Sequence, residues 1–203
     1  QDYGQIEGRL KIGGAPASGQ ELYFTMSSSG LDTDFNNFKV STDADGVFKF
    51  SKLPAGEGEV VRLIRTRPNS WTHSHKTNVT VVAGQTTYLS LGDSGALLKG
   101  TARLQGPWPP DEKLVMGGTL RSKRPNLPSF SSPEESRAFL KSPEWQSQMK
   151  SQQYFAVAVA EDNSFSIDSV PAGSYTLDMN ATRPGTGVPM MSSVATGSLE
   201  VTV

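Results

Sequence analysis

Apolar and polar residues alternate along much of the chain, which is the pattern of β-strands with one buried face. In the stretch 47–51, Phe48 and Phe50 fall on one face and polar or small residues on the other. The preceding Asp45 and Gly46 are a strong turn signal, because glycine adopts a positive φ at no steric cost. Similar short runs, each bounded by a turn, recur at the spacing that is typical of an antiparallel β-sandwich.

Four parts of this pattern occur twice, in the same order. The stretch DADGVFKFSKLPAG, for example, returns as EDNSFSIDSVPAG in the other half of the chain. The matching stretches are 5–12 and 97–104, 21–29 and 113–121, 38–65 and 154–181, and 86–91 and 198–203. Each half is long enough to bury a core of its own. The sequence therefore predicts an all-β protein of two tandem, seven- to eight-stranded β-sandwiches, 1–94 and 95–203.

The second copy carries an insertion. The two copies are 92 residues apart at Gly8 and Gly100 but 117 residues apart at Phe48 and Phe165. This difference places the insertion at 123–152, in a stretch with phenylalanine, leucine and tryptophan that favours order over a disordered linker.

Two short helices are predicted within this insertion. Ser132 and Glu135 form a capping box, with a proline at the first helical position, where its missing N–H costs nothing. Ser142 begins a second segment in the same way. Trp145 and Met149 are four residues apart, so we expect them to place one apolar edge against the sandwich.

The repeated residues resemble a known group of modules. A glycine in the first strand (Gly8, Gly100), a phenylalanine two residues after the turn and the LPAG or VPAGSY turn are similar to the carboxypeptidase regulatory-like domains. Those domains are relatives of the transthyretin-like and collagen-adhesin B-type modules, which are seven- or eight-stranded Ig-like sandwiches. The resemblance covers nearly the whole chain, although the first copy has Gly58 where the second has Tyr175.

The resemblance implies a fold more than an activity. Such modules are usually non-catalytic parts of secreted, periplasmic or surface-attached bacterial proteins, where they act as spacers, adhesive units or carbohydrate-binding-like platforms. Similar tandem units also precede thioredoxin-like or peptidase domains. The adhesin modules carry a Lys–Asn cross-link assisted by a buried acid. The matching acid here is Asp168, which alternation places on the solvent face, so we expect no cross-link.

Composition narrows the possible partners. The net charge of −1 and pI of about 6.2 provide no field that would attract nucleic acid or an anionic membrane, and no apolar run is long enough to span one. The small basic cluster of Arg62, Arg65 and Arg67 is interpreted as a solvated face. The absence of cysteine excludes disulfides and thiolate chemistry. Because the chain begins with Gln1 and not with Met, we expect a processed or trimmed chain. The resemblance implies a periplasmic, extracellular or cell-surface location, with a signal peptide that has been removed.

Two motifs have metal-ligand spacing but are incomplete, and no metal or other cofactor is predicted. His73 and His75 would share one face of a strand but lack a third ligand nearby. Asp32, Asp34 and Asn36 match the first positions of a calcium loop, without its glycine or flanking helices. A polar edge strand and an ordinary polar loop are the competing interpretations.

Three tryptophans are the candidate ligand-stacking residues, because sugar rings stack on exposed aromatic faces. Trp71 and Trp108 fall in predicted loops, and Trp145 in the insertion. The alternative is that each covers one end of a sandwich.

No catalytic motif is present: the sequence has no G-x-S-x-G, no H-E-x-x-H and no phosphate-binding loop. The sequence therefore predicts that the protein is not an enzyme. Together with the resemblance, it predicts a module of an exported bacterial protein that acts as a structural spacer or as a binding or adhesion unit. The alternatives are carbohydrate binding through the tryptophans and an accessory region for a separate enzyme domain. The predicted partners are a carbohydrate or another protein domain; the oligomeric state stays open.

Overall fold

The alternating segments of the first half form eight strands in the computed structural model, which describes residues 2–26, 38–67, 70–106, 114–123, 127–183 and 193–203. The strands are β1 (Tyr3–Ile12), β2 (Ala15–Pro16), β3 (Glu21–Met26), β4 (Phe38–Ser41), β5 (Val47–Pro54), β6 (Gly56–Arg67), β7 (Ser70–Val81) and β8 (Thr86–Leu91).

These strands build the first sandwich. In one sheet β1 lies between β5 and β8 and also pairs with β2; the other sheet has the order β4–β3–β6–β7. The β1–β8 pair is parallel and the other pairs are antiparallel. The alternation predicted for 47–51 is confirmed, because Phe48 and Phe50 are at most 2% exposed in the core.

The second half forms a second sandwich with two helices between its second and third strands. Its elements are β9 (Ala96–Thr101), β10 (Val115–Ser122), α1 (Pro133–Leu140), α2 (Pro143–Lys150), β11 (Tyr154–Ala158), β12 (Ser164–Val170), β13 (Ser174–Thr182) and β14 (Ser193–Thr202). One sheet has the order β11–β10–β13–β14, and β12 pairs with β9 in the other. A separate hydrophobic core fills each sandwich, one from residues 6–91 and one from 98–203.

The repeated glycine and phenylalanine are cross-strand partners in both sandwiches. Gly8 lies opposite Phe48 in β1 and β5, and Gly100 lies opposite Phe165 in β9 and β12. A Cβ on Gly8 would lie 2.5 Å from the Phe48 ring, and one on Gly100 would lie 2.4 Å from the Phe165 ring. Only glycine leaves room for the ring, which explains why the two residues recur together.

The turn and the bulge around this pair also recur. Gly46 has a φ of 73°, and Asn163 takes the same place in the second copy with a φ of 65°. Asparagine is one of the few other residues that tolerate this conformation. Lys52 and Ser169, at φ 55° and 56°, lie at the bulge before each Pro-Ala-Gly turn.

The last strand of the chain differs from the sequence prediction. The match of 198–203 to 86–91 predicts an equivalent of β8, but 198–203 belongs to β14, which pairs with β13 just as β7 pairs with β6. The described part of the second sandwich therefore has six strands, without an equivalent of β8. Both stretches alternate apolar and polar residues, so alternation alone does not distinguish them.

Both predicted helices are present. Among the described residues, no helix is long and apolar enough to cross a membrane. The Ser132 and Ser142 hydroxyls accept from the backbone N–H groups of Glu135 and Trp145 at 3.1 and 3.2 Å. The Trp145 ring packs on Phe139 within the insertion, with ring centroids 5.2 Å apart, and none of the residues in the two helices is fully buried.

We expect Gly100→Ala to destabilise the protein by about 1 to 3 kcal/mol, because the added methyl group overlaps the Phe165 ring. Gly197→Ala in β14 is the matched control, since a Cβ there has no atom within 4 Å. Urea unfolding of the two variants measures the difference. Equal midpoints would contradict a register set by the glycine–phenylalanine contact.

Candidate functional site

The two sandwiches meet where β11 packs on β6 and β7, and we call this contact the junction. A β-bulge shapes it: His75 has a φ of 56°, and the β6–β7 register shifts between Val60 and Arg62. Next to the bulge, the fully buried Ser74 hydroxyl accepts a 2.9 Å hydrogen bond from the backbone N–H of Ala156 in β11. The bulge thereby presents a side-chain acceptor to a strand of the second sandwich.

A buried ion pair crosses the same junction. Arg62 Nη1 donates to Asp168 Oδ2 at 2.7 Å, and the two side chains are 7% and 14% exposed. Arg62 is the cross-strand partner of the core residue Leu22, so it lies on the inner face of its sheet. Its Nε has no hydrogen-bond partner among the described atoms.

Asp168 stays charged in this setting. Burial by itself would raise the pKa of this carboxyl, but the hydrogen bond from His75 and the positive charge of Arg62 together hold the pKa well below its usual range. His75 Nε2 lies 3.0 Å from the Asp168 backbone oxygen and 3.5 Å from Oδ1. Ser169, the next residue, donates to the Gly92 carbonyl at 3.3 Å, which ties the segment between the sandwiches to the same place.

The predictions that Arg62 and Asp168 face solvent are therefore wrong. Alternation places a residue on one face of its own sheet, but it does not show whether a second domain covers that face or one end of the sandwich. The position of Arg62 within the apolar run VVRLI is the one sequence signal that this arginine is buried, and it does not identify Asp168 as the partner.

Ser74, His75 and Asp168 are the residue types of a hydrolytic triad, but their arrangement does not favour nucleophilic catalysis. Ser74 Oγ lies 2.7 Å from His75 Nδ1, yet it is buried and already accepts the Ala156 N–H. A nucleophilic hydroxyl needs access to its substrate. The His75 ring packs edge-on against Phe155, with centroids 5.0 Å apart, so it too is part of the packing.

A polar rim and a cleft surround the junction. Burial raises the pKa of Tyr154 to about 12, and the negative charge of Glu59 across the junction adds to the shift. Lys150, at the end of α2, pairs with Glu57 at 2.6 Å and accepts from the Asn78 side chain through its carbonyl at 3.0 Å. A cleft of about 450 Å³ lies beside these groups, with Arg62, His75, Leu91 and Phe155 in its lining.

The structure does not combine the described tryptophans into one platform. Trp71 lies in strand β7, not in the predicted loop, and is 52% exposed with the Arg65 guanidinium 5.9 Å from its ring centroid. Because β7 is an edge strand and can be polar on both faces, its sequence resembles that of a loop. Trp145 is half-buried against Phe139. Trp108 lies outside the described residues.

The metal motifs are also separated. His73 is exposed beside the Tyr23 ring, with centroids 6.1 Å apart, whereas His75 turns toward Asp168. Within the described ranges there is no group of three His, Cys, Asp or Glu side chains that could hold a metal ion. Asp32, Asp34 and Asn36 lie outside those ranges.

No protein-family model matches the chain, and no curated protein matches it. Among solved structures, the chain is similar to a DUF3823 family protein from Bacteroides uniformis, with 14% identity over 99% of each chain and a TM-score of 0.36. It is similar to a proposed carbohydrate-binding protein from Pseudomonas aeruginosa, with 14% identity over 44% of this chain and 88% of the other and a TM-score of 0.32. It is also similar to the full-length major pilin of Corynebacterium diphtheriae, with 12% identity over 98% of this chain and 65% of the other and a TM-score of 0.33. At these values the likenesses carry no argument about function.

We expect Asp168→Asn to lower the free energy of unfolding by about 3 to 5 kcal/mol, because it leaves the buried Arg62 charge without its counter-charge. Asp178→Asn is the control: Asp178 pairs with Arg121 on the surface, where ion pairs contribute about 1 kcal/mol or less. Urea unfolding at neutral pH compares the two. A smaller loss for Asp168→Asn than for the control would contradict the role of the junction.

The effect of Asp168→Asn depends on pH in a defined direction. Because folding lowers the pKa of Asp168, its stabilisation is complete above the unfolded-state pKa of about 4 and is lost progressively as the pH falls below that value. The stability difference between wild type and the variant should be constant from pH 5 to 7 and shrink below pH 4. Unfolding curves at pH 7, 5, 4 and 3 measure it, and a difference that grows on acidification would contradict the assignment.

Proposed function

We propose that this chain is a non-catalytic module of an exported bacterial protein, in which the junction holds two β-sandwiches at a fixed orientation as a spacer or presenting unit. The observation that carries the proposal is the buried Arg62–Asp168 pair between the sandwiches. The resemblance of the repeated Gly, Phe and Pro-Ala-Gly pattern to carboxypeptidase regulatory-like modules supports the exported setting.

The energetics of the junction favour a fixed arrangement. Removing two charges from water costs several kcal/mol per ion, and the attraction offsets this cost only in a well-defined geometry. Two sandwiches joined by a flexible linker would leave both groups hydrated. The Ser74–Ala156 and Ser169–Gly92 hydrogen bonds add further constraints at the same place.

The buried Ser74 hydroxyl and the paired Asp168 support the non-catalytic part of the proposal. Apart from Arg62 Nε, the polar side-chain groups at the bulge and the ion pair are each engaged by another protein group. An active site instead leaves at least one reactive atom open to substrate.

Distance measurements between the sandwiches test the fixed orientation. The chain has no cysteine, so Ser18→Cys and Ser166→Cys place one spin label on an exposed site of each sandwich. We expect one narrow distance distribution in the otherwise native chain and a broad one when Asp168→Asn is added. A broad distribution in the native background would refute a fixed spacer.

Carbohydrate binding is a second candidate function, favoured by the exposure of Trp71 beside Arg65. An indole face with an adjacent guanidinium offers stacking and hydrogen bonds to a sugar ring. Titration with a panel of oligosaccharides tests it. We expect Trp71→Ala to weaken binding at least tenfold and Trp145→Ala, whose ring packs on Phe139, to leave it unchanged. Equal affinities of Trp71→Ala and wild type would exclude this site.

A further inference from the structure

The cleft at the junction is lined by both sandwiches and by the segment that connects them. The first sandwich contributes Arg62 and Lys76, the second contributes Gln153 and Phe155, and residues 90–94 complete the wall. The volume of about 450 Å³ falls within the range of ligand pockets, about 300 to 1,000 Å³. All the lining residues belong to the described ranges. The cleft therefore depends on the orientation in which the junction holds the two sandwiches.

The Arg, Lys and Asp side chains in the lining are already paired with opposite charges. Their N···O distances lie between 2.7 and 3.7 Å, in the pairs Arg62–Asp168, Lys76–Glu59 and Asp93–Lys11. The His75 ring, which also lines the cleft, is engaged through Nε2 by the Asp168 carbonyl and through Nδ1 by the Ser74 hydroxyl. An ionic ligand would lose hydration here without gaining an unpaired counter-charge. The lining therefore favours a neutral ligand.

The uncharged lining groups combine hydrogen-bonding and apolar surface. The Gln153 amide and the Ser94 hydroxyl can each both donate and accept a hydrogen bond. Sugar hydroxyls have the same dual capacity. Leu91, Phe155 and Pro171 also line the cleft, so part of its wall is apolar. A sugar ring, with hydroxyls at its rim and C–H groups on its faces, matches both kinds of surface.

One buried donor in the lining lacks a partner. Arg62 donates through Nη1 to Asp168, but its Nε has no hydrogen-bond partner among the described atoms, although the side chain is only 7% exposed. Buried N–H groups in native proteins are satisfied by protein, by ordered water or by a ligand. A ligand oxygen in the cleft, bound directly or through one water, would supply the acceptor. Because Asp168 already offsets the charge of Arg62, a neutral hydroxyl is sufficient for this role.

We propose that the junction cleft binds a neutral mono- or disaccharide, held between the sandwiches by Gln153, Ser94 and the Arg62 guanidinium. The site is separate from Trp71, which is not part of the lining. The proposal rests on the fixed orientation proposed above, because the lining comes from both sandwiches. A ligand that contacts both of them also stabilises that orientation, since it binds only the assembled cleft.

Backbone amide NMR shifts of the full chain locate the binding site. The probes are glucose, galactose, mannose, N-acetylglucosamine, maltose, cellobiose and lactose, and glucuronate is the charged comparison. Titration to about 50 mM detects even a weak site with a Kd of about 1 mM. We expect saturable shifts at residues 75–78, 90–94 and 153 with at least one neutral sugar and none with glucuronate. The absence of shifts with every neutral sugar, shifts only around Trp71, or tighter binding of glucuronate would overturn the proposal.

Two variants test the residues assigned to the site. Gln153→Ala removes the amide from the cleft, and Gln152→Ala is its matched control, because the Gln152 side chain accepts from the Ser122 hydroxyl at 3.4 Å and is not in the lining. Arg62→Lys keeps a positive charge opposite Asp168 but has no Nε–H. We expect Gln153→Ala and Arg62→Lys each to weaken sugar binding at least fivefold and Gln152→Ala to leave it unchanged. Equal affinities of the two glutamine variants would contradict the assignment.

Spin-label distances between the sandwiches, measured with and without the same sugars, separate the cleft from the spacer. A narrow distribution in a chain whose NMR shifts do not respond to sugar would refute the binding site and leave the fixed spacer intact. A broad distribution would refute the fixed spacer, and the preformed cleft with it. We expect a narrow distribution whose mean distance the sugar does not change.

Discussion

A phenylalanine ring that lies against a glycine of the neighbouring strand sets the register of each sandwich. The ring of Phe48 occupies the space over Gly8, and that of Phe165 the space over Gly100, so that no other residue fits at either glycine. A slip by one residue would turn the whole apolar face of the strand to solvent. The residues around the contact tolerate change, as the turn shows with Asn163 in place of Gly46. The contact itself is present in both copies, and the remaining strands are arranged around it.

The junction depends on a different kind of interaction. Its strands are held by polar groups: the Arg62–Asp168 pair, the Ser74–Ala156 hydrogen bond and the His75 ring between them. An apolar contact of the same size would tolerate sliding and rotation, because the hydrophobic effect is not directional. Buried charges and hydrogen bonds keep their strength only over a narrow range of distances and angles. Their attraction offsets the cost of burying them only in such a geometry.

The sequence was sufficient for the features that depend on local patterns. The period-two alternation, the turns, the helix caps at Ser132 and Ser142 and the repeat all appear in the structure, because each is determined by residues close together in the chain. The pairing of Arg62 with Asp168, 106 residues away, leaves no local pattern, and both residues have the composition of a solvated surface. The role of β14 was missed for a related reason: alternation predicts a strand but not its neighbour in the sheet.

The two copies share one framework and complete it in different ways. At the register of Arg62 and Ser74, which seal the junction from the first sandwich, the second sandwich has Met179 and Gly197. It therefore lacks both the buried cation and the hydroxyl acceptor there, and it could not bind a further sandwich through the same polar chemistry. The same change leaves apolar groups at that end, where Met179 and Gly197 line a hollow of about 330 Å³. Divergence at a few positions thus gives one copy a polar contact surface and the other copy a more apolar surface at the equivalent place.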